Sequence, residues 1–194
     1  ADTLPDVPGL AEHWGKDVLH CPYCHGWEVR DQKIGILATG PNATHQALMF
    51  RQLSASVTVI ANEANMPADP EILRRRGITI VEGQAAAVLS SDSGRLSGLK
   101  LDDGTTVPLD ALVVMPRSEA RSGVISSLQV PLTEMPNGMG TVIEVDTWGK
   151  TTVPGVWAAG NITDLSATVL TSAAAGARAG AIINGELVME DAAA

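Results

Sequence analysis

Residues 33–61 place the tightest constraint on the fold, because they alternate apolar strands with one helical stretch. Residues 33–38 (KIGILA) form an apolar run that ends at the turn residues 39–42 (TGPN). Residues 43–53 carry apolar side chains at helical spacing, and residues 56–61 (SVTVIA) are rich in β-branched side chains. A strand, a glycine turn, a helix and a strand form a βαβ unit with a right-handed crossover. The sequence therefore predicts an α/β fold.

The rest of the chain predicts shorter elements around this unit. An antiparallel β-meander is expected over residues 85–108, where short apolar runs alternate with Ser-Gly and Asp-Gly turns. The other expectations are loops over 1–17 and 147–154, helices over 69–76 and 167–185, strands over 78–82, 109–115, 142–145 and 155–159, and an irregular segment over 118–137.

The composition is that of an acidic protein with enough apolar residues for a core. Hydrophobic residues make up 45% of the 194 positions, and the formal net charge is -9. An acidic surface argues against nucleic acid and anionic membrane as partners. The chain contains no apolar run of the roughly 20 residues that cross a bilayer, and no secretory signal is visible. We expect a cytoplasmic protein.

Both cysteines of the chain, Cys21 and Cys24, lie in the stretch CPYCHGWE and are followed by His25. A Cys-x-x-Cys pair can close a small disulfide ring, and a thiol at a helix start is a better nucleophile. Histidine is the side chain that exchanges protons most readily at physiological pH, so His25 is suited to moving the proton of the thiolate. The alternatives are a zinc site, for which His20 and His25 flank the thiols too closely, and a pair of inert buried cysteines. Redox chemistry is the favoured interpretation, and no metal is expected.

The turn after residues 33–38 is a candidate dinucleotide-binding turn. Such a turn has the pattern G-x-G-x-x-G or G-x-G-x-x-A, and this chain has ATGPNA. Gly40 and Ala43 fit the pattern, whereas Ala38 replaces the first glycine. The candidate cofactor-binding residues here are Gly40, Pro41, Asn42 and Ala43.

Residues beyond the second strand bear on which nucleotide is bound. Residues 61–64 (ANEA) include no arginine, and Glu63 would repel a 2′-phosphate. Glu63 either accepts a hydrogen bond from a ribose hydroxyl, which favours NADH, or is a solvated loop acid. The cluster of Arg74, Arg75 and Arg76 is interpreted as an exposed helix end, with a phosphate contact as the alternative.

Residues 151–164 (TTVPGVWAAGNITD) carry a resemblance to a known family, the low-molecular-weight thioredoxin reductases and their flavin-dependent relatives. PGVWAAGN is similar to that family's second flavin motif, in which a strand ends at a glycine and the next residue bonds the ribityl chain. Gly160 and Asn161 occupy these two places, with Asn161 where the family usually has Asp. Ala167, Thr168 and Val169 occupy the helix start where the family commonly has Arg-Gln-Ala.

The resemblance covers the chain in the family's order: cysteine motif, βαβ unit, meander and flavin motif. It implies a Rossmann-like NAD(P)-binding domain over residues 1–128 and the C-terminal part of an FAD-binding domain over 129–194. It also implies electron transfer between NAD(P)H, FAD and a Cys21–Cys24 disulfide, and on to a thioredoxin-like protein or a small-molecule disulfide. By resemblance Cys24 faces the flavin, Cys21 faces the substrate, and the protein is a homodimer.

Two further interpretations come from departures from the family pattern. His25 stands where thioredoxin reductases usually have an acid, so the cysteine motif is closer to bacterial reductase-like proteins and to dithiol oxidases, which pass electrons from flavin to oxygen. The family's first flavin segment, a strand with a G-x-G-x-x-G turn, does not precede Ala1. We therefore expect these residues alone to bind FAD weakly, and a nucleotide-binding fragment without turnover is the third interpretation.

Overall fold

The computed structural model describes residues 1–62 and 65–194. They divide into two compact units: Leu4–Pro116 is the first unit, and Ala1–Thr3 with Arg117–Ala194 is the second. The strands are β1 Asp2–Thr3, β2 Val18–Leu19, β3 Ile34–Leu37, β4 Val57–Ala61, β5 Thr79–Glu82, β6 Ala85–Ser90, β7 Leu96–Leu101, β8 Thr106–Pro108, β9 Ala111–Val113, β10 Arg117–Ser118, β11 Thr133–Glu134 and β12 Thr141–Val142. The α-helices are α1 Leu10–His13, α2 Pro22–His25, α3 Ala43–Phe50, α4 Pro70–Arg75 and α5 Val169–Ala193, and 3₁₀ helices cover Gly26–Val29, Ser122–Leu128, Pro136–Gly138 and Gly160–Ile162.

A parallel sheet in the order β2-β9-β3-β4-β5 forms the centre of the first unit. Every residue of β3 is buried, and neighbouring residues of the strand belong to two different apolar clusters. Because the sheet is covered on both faces, its strands are continuous apolar runs rather than alternating ones. The predicted α/β fold is confirmed.

The βαβ unit has the elements that the sequence predicts. β3 pairs in parallel with β4, and α3 connects them. Ala43, Ala47 and Phe50 are buried in one apolar cluster with β3 and β4, which accounts for their helical spacing. The predicted helix over residues 43–53 ends earlier, at Phe50, and turns come after it.

The predicted loop over residues 1–17 is wrong in part, because it contains α1. This helix is a single turn, too short for the 3.6-residue period to be visible, yet its Leu10 is only 1% exposed. The sequence also does not reveal β2, whose Val18 and Leu19 pair in parallel with β9. β2 is a two-residue edge strand, and its position becomes apparent only from its pairing with β9, more than ninety residues away along the chain.

The predicted meander is confirmed as the antiparallel sheet β6-β7-β8. Its apolar face packs into the same cluster as Leu10 and the adjacent face of the parallel sheet. Gly9 has φ +83°, and a Cβ there would lie 2.9 Å from the carbonyl oxygen of Val88. The chain therefore needs a glycine at this point to enter α1 against the meander.

A buried polar network joins α1, β2 and the meander. His13 and Asp17 are 4% and 1% exposed, and His13 Nδ1 lies 3.2 Å from Asp17 Oδ2. His13 Nε2 lies 2.8 Å from Ser90 Oγ, and the Leu96 N–H donates to Asp17 Oδ2 at 3.0 Å. Arg95 Nη2 lies 2.5 Å from Asp17 Oδ1 as an ion pair, and this oxygen accepts no hydrogen bond from the described residues. These contacts satisfy a charge that would otherwise be costly to bury.

Replacing His13 with Ala should lower the free energy of unfolding by about 1–3 kcal/mol, because two buried hydrogen bonds lose their partner. Urea denaturation followed by circular dichroism measures the change. His45→Ala on α3 is the matched control, since His45 is exposed, and it should shift the value by less than about 0.5 kcal/mol. Equal effects of the two substitutions would contradict this account of the network.

The second unit contains the largest departures from the predicted elements. The predicted strand over residues 155–159 is wrong, because these residues form no strand ladder. A bridge between Trp157 and Lys150 and hydrogen bonds to Gly149 and Thr151 link them to residues 149–151. The Asp146 carboxylate accepts from the N–H groups of Trp148 and Lys150, which holds residues 146–150 as a tight turn instead of a ladder. The predicted strand over residues 142–145 is confirmed only at Val142, in β12.

The long C-terminal helix α5 is confirmed, although it continues to Ala193 rather than ending at Gly185. Ala179 is its one buried residue, whereas Val169 and Leu170 are 90% and 79% exposed. Among the described residues, no helix combines the length and the apolar character needed to cross a bilayer. The predicted domain division after residue 128 stays a prediction.

Candidate active site

The cysteine pair directly follows β2 at the carboxyl edge of the parallel sheet. Cys21 is the residue that precedes α2, Pro22 occupies the first helical position, and the His25 N–H donates to the Cys21 carbonyl at 3.2 Å. Cys21 is half-buried, whereas Cys24 and His25 are exposed. One helical turn therefore presents both sulfurs at the surface.

The two thiols form a hydrogen-bonded pair. The Cys24 thiol donates to Cys21 Sγ, and the sulfurs are 2.8 Å apart. This hydrogen bond raises the pKa of Cys24, and desolvation and the charge of Cys21 add to the rise. The protonated form of Cys24 is therefore favoured. No group of three or more metal-binding side chains is present among residues 1–62 and 65–194.

Several contacts that sequence reasoning missed hold the cysteine segment. The Trp14 ring stacks on His20 with centroids 5.9 Å apart, and buried Gln46 on α3 donates to the His20 carbonyl at 3.5 Å. A Cβ on Gly26 would lie 2.5 Å from Leu53 Cδ1, so the turn after α2 packs closely on the end of α3. The one sequence signal for these contacts is the glycine after His25, where a side chain would require Leu53 to move.

The candidate nucleotide turn leads into α3. A Cβ added at Gly40 would meet no atom of the described residues within 4 Å. Asn42 precedes α3, and its side chain makes no capping hydrogen bond. The Oγ1 of Thr44 is buried and has no hydrogen-bond partner among the described residues. An open glycine, an uncapped helix start and an orphaned hydroxyl are the features that a pyrophosphate fits. Pro41 and Ala43 complete the turn.

The cysteine pair and the nucleotide turn lie at the same edge of the sheet. Cys21 follows the carboxyl end of β2, Gly40 follows that of β3, and β9 separates the two strands. Neighbouring strands are about 4.8 Å apart, so the two strand ends are separated by about 10 Å. This edge is where open α/β sheets bind their ligands.

The side-chain oxygen of Asn62, the first residue after β4, already accepts a hydrogen bond within the protein. Asn62 is buried, and its Oδ1 accepts from the Ala85 N–H at 2.7 Å. Glu63, the predicted ribose acceptor, lies outside the described residues. Arg74, Arg75 and Arg76 are exposed at the end of α4, and Arg74 Nη1 lies 3.7 Å from a Glu71 oxygen.

The candidate flavin motif lies in the second unit. Gly160 has φ +82°, and a Cβ there would lie 3.2 Å from the Cβ of Ser172 on α5. Asn161 is exposed, and its amide donates weakly to the Leu165 carbonyl at 3.5 Å. Thr168 precedes α5, and its Oγ1 accepts from the Thr171 N–H at 3.3 Å.

The first turn of α5 leaves two backbone donors for a ligand. Thr168 caps only the Thr171 N–H, and the Ser172 N–H donates to the Thr168 carbonyl at 2.9 Å. The N–H groups of Val169 and Leu170 start a 25-residue helix, which is favourable for an electron-rich ligand. Ala167 and Val169 offer no polar side chain. The segment fits a flavin through its backbone and through Asn161, not through the polar contacts common in the family.

Comparison with known proteins assigns the family. The model of the pyridine nucleotide-disulphide oxidoreductases matches residues 1–180. The chain belongs to this family. It is 32% identical over 168 residues to thioredoxin reductase tcpT of Claviceps purpurea, and 29% identical over 170 residues to thioredoxin reductase aclD of Aspergillus oryzae.

The relatives of this pyridine nucleotide-disulphide oxidoreductase are longer than the chain. The alignments cover 82% of the chain but 51% and 52% of the two reductases, so the chain spans about half their length. The crystal structure of HlmI matches all of the chain and 59% of its own length, at 39% identity and a TM-score of 0.86. An oxidoreductase from Agrobacterium tumefaciens matches 97% of the chain and 62% of its own length, at 30% identity and a TM-score of 0.83.

Removing Cys21 should make Cys24 ionise at lower pH. In Cys21→Ala the hydrogen bond that keeps the proton on Cys24 is lost together with the neighbouring charge, so the pKa of Cys24 falls toward its ordinary value. Iodoacetamide alkylation across a pH series, read for each cysteine by tandem mass spectrometry, measures the midpoint for Cys24 in the phosphine-reduced wild-type chain and in the variant. Tyr23→Phe serves as the control and should leave the midpoint unchanged. A midpoint that stays or rises in Cys21→Ala would show that the thiol pair is not coupled in this way.

Proposed function

We propose that this family member is an FAD-dependent thiol-disulfide oxidoreductase of the thioredoxin reductase type, which moves electrons between NAD(P)H, FAD and the Cys21–Cys24 pair and on to a disulfide. The observation that carries the proposal is the hydrogen-bonded thiol pair at the carboxyl edge of the sheet, beside the open turn at Gly40. A pair of inert cysteines would not need this exposed position.

We assign the attack on substrate to Cys21, the sulfur that accepts the hydrogen bond from Cys24. The Cys21 thiolate attacks one sulfur of the substrate disulfide; that S–S bond breaks, a mixed disulfide forms, and the other substrate sulfur leaves as a thiolate. Cys24 then loses its proton and attacks Cys21 Sγ, which closes the Cys21–Cys24 disulfide and releases the second substrate sulfur. Two electrons pass to the substrate, and its sulfurs take up two protons. His25 is the exposed base next to Cys24 that accepts and returns a proton.

The cofactors would be held by two turns in the two compact units. Gly40, Pro41, Asn42 and Ala43 would hold the nicotinamide nucleotide, and residues 160, 161 and 167–169 would hold the flavin. FAD supplies two-electron chemistry that couples a nicotinamide or oxygen to a dithiol. We assign residues 1–128 to an NAD(P)-binding-type domain and 129–194 to the C-terminal part of an FAD-binding domain. The substrate is a thioredoxin-like protein or a small-molecule dithiol or disulfide, and the protein acts as a cytoplasmic homodimer.

A dithiol oxidase that passes electrons from FAD to oxygen is the second candidate. It is favoured by the buried Asn62, whose side chain is committed to the Ala85 N–H instead of a ribose. Anaerobic reduction of the flavin by NADPH or NADH supports the reductase. Flavin reduction by a dithiol alone, followed by peroxide release in air, supports the oxidase.

Serine substitution of either cysteine should reduce disulfide turnover about a thousandfold or more, since one sulfur attacks the substrate and the other resolves the mixed disulfide. The measurement uses the natural polypeptide that contains these 194 residues, with a disulfide substrate and a nicotinamide donor. Ser93→Ala, at an exposed turn of the meander, should leave the rate within about twofold. Undiminished turnover in Cys21→Ser or Cys24→Ser would overturn the proposed function.

Gly40→Ala should weaken NAD(P)H binding about tenfold without loss of stability. The added methyl group meets no protein atom within 4 Å, but it occupies the space in which a pyrophosphate approaches the backbone. Nucleotide titration by calorimetry gives the affinity, and urea denaturation should show a change below about 0.5 kcal/mol. Gly176→Ala on α5, which also has open space, is the control and should leave the nucleotide affinity unchanged. If Gly40→Ala and the wild type bind NAD(P)H with equal affinity, the nucleotide does not bind at this turn.

A further inference from the structure

Two large aromatic side chains are exposed on either side of Cys24. Tyr23 is 86% exposed and Trp27 is 67% exposed, and four positions separate them across α2 and the 3₁₀ helix that comes after it. The chain has six aromatic residues in all, one Tyr, one Phe and four Trp, so two of the six lie within this short segment. Aromatic side chains this exposed beside a reactive thiol are suited to contact a ligand, because they offer large contact areas with few rotatable bonds.

Trp27 is held in place although most of its surface is accessible. The Arg30 guanidinium lies over its ring, with Cζ 4.3 Å from the centroid, and Arg30 Nη1 donates to the Trp27 carbonyl at 2.9 Å. In the same 3₁₀ helix, Val29 is 3% exposed and Gly26 packs against Leu53. The segment is therefore anchored from below, and the ring loses little freedom when a ligand stacks on its open surface.

The size of this apolar surface indicates what it binds. The neighbouring Glu28, Arg30 and Asp31 are exposed, so the apolar area is limited to the two rings. A stable protein partner covers about 800 Å² on each side, which is far more than two side chains offer. Two rings beside a thiol match a ligand with a small flat group close to its sulfur atoms.

We infer that Tyr23 and Trp27 form the binding platform for the disulfide substrate. They favour a small molecule whose disulfide is attached to a flat ring, in preference to an extended protein disulfide. This inference rests on the proposed function, because the platform acts only if Cys21 and Cys24 exchange with a disulfide. Arg30 is a positioning residue that acts through Trp27. Stacking holds the substrate while the Cys21 thiolate attacks and while the mixed disulfide persists.

The test measures thiol-disulfide exchange by the reduced chain itself. The probes are 2,2′-dithiodipyridine, a neutral disulfide on flat rings, and bis(2-hydroxyethyl) disulfide, a neutral aliphatic one. Each variant is compared with the wild type using the same probe, so that differences between leaving groups cancel. In the double variant Tyr23→Ser and Trp27→Ser, the rate constant with the flat probe should fall about tenfold, and that with the aliphatic probe should stay within about twofold.

Control variants separate the platform from general effects of losing an aromatic side chain. Trp148 is 52% exposed in the second unit, and Trp148→Ser should change neither rate. Tyr23→Phe and Trp27→Phe keep a flat ring and should retain the rate with the flat probe within about twofold. Circular dichroism and urea denaturation confirm that each variant is folded.

Three outcomes would overturn the inference. The first is an equal loss of the exchange rate constant with both probes in the double variant. The second is the same loss with the flat probe in Trp148→Ser. The third is a rate constant with oxidised thioredoxin that falls as much in the double variant as the rate constant with the flat probe. Each of these leaves the proposed function intact, because the cysteines still exchange. If the wild-type chain exchanges with neither probe, the proposed function and the inference fail together.

Discussion

The parallel pairing of β2, β9 and β3 is the constraint on which the candidate site depends. Val18 pairs with Leu112 on one edge of β9, and Ile34 pairs with Ala111 on its other edge. Because all three strands run in the same direction, the segments after β2 and after β3 must emerge on the same side of the sheet. The thiol pair and the candidate nucleotide turn therefore lie at one edge of the sheet, although they are nearly twenty residues apart in the sequence. A one-residue slip of β2 would turn Leu19 out of its apolar cluster and rotate the cysteine segment with it.

The hydrogen bond between the thiols distinguishes two chemically identical groups. Unperturbed cysteines share one pKa, whereas here Cys24 donates to Cys21 Sγ and its pKa is raised. Cys21 is also the less exposed of the two residues. This asymmetry agrees with the role proposed for Cys21 as the thiol that attacks substrate. An attacking sulfur on a half-buried residue also favours a substrate that is narrow near its sulfur atoms, as the proposed aromatic platform would select.

The sequence predicted the elements that are specified by residues close together in the chain, through hydrophobic periodicity or turn residues. The strands β3 and β4, the helix α3 and the meander are recognisable from apolar runs, helical spacing and Asp-Gly or Ser-Gly turns. Among the elements that escaped prediction, β2 and α1 did so because their stability comes from distant partners: β2 depends on β9, and α1 depends on the cluster that contains Leu10. The strand over residues 155–159 was wrong for the converse reason, since an apolar run makes a strand only where a neighbouring backbone completes its ladder. The cysteine pair was visible at once, but its orientation was not, because Gln46, Trp14 and Gly26 hold it through tertiary contacts.

The loss of the first glycine of the dinucleotide pattern has a structural explanation. Ala38 is fully buried, and its N–H donates to the Ile60 carbonyl at 2.9 Å, so this residue extends the pairing of β3 with β4. Its methyl group packs into the apolar cluster with Ala43 and Ala47, not into the space above the turn. The position at which a side chain would obstruct a pyrophosphate is Gly40, and there the glycine is retained. The degenerate motif therefore preserves the geometry that phosphate binding needs. Asn62, the first residue after β4, already accepts from the Ala85 N–H, and this is the feature that favours the dithiol oxidase as the second candidate.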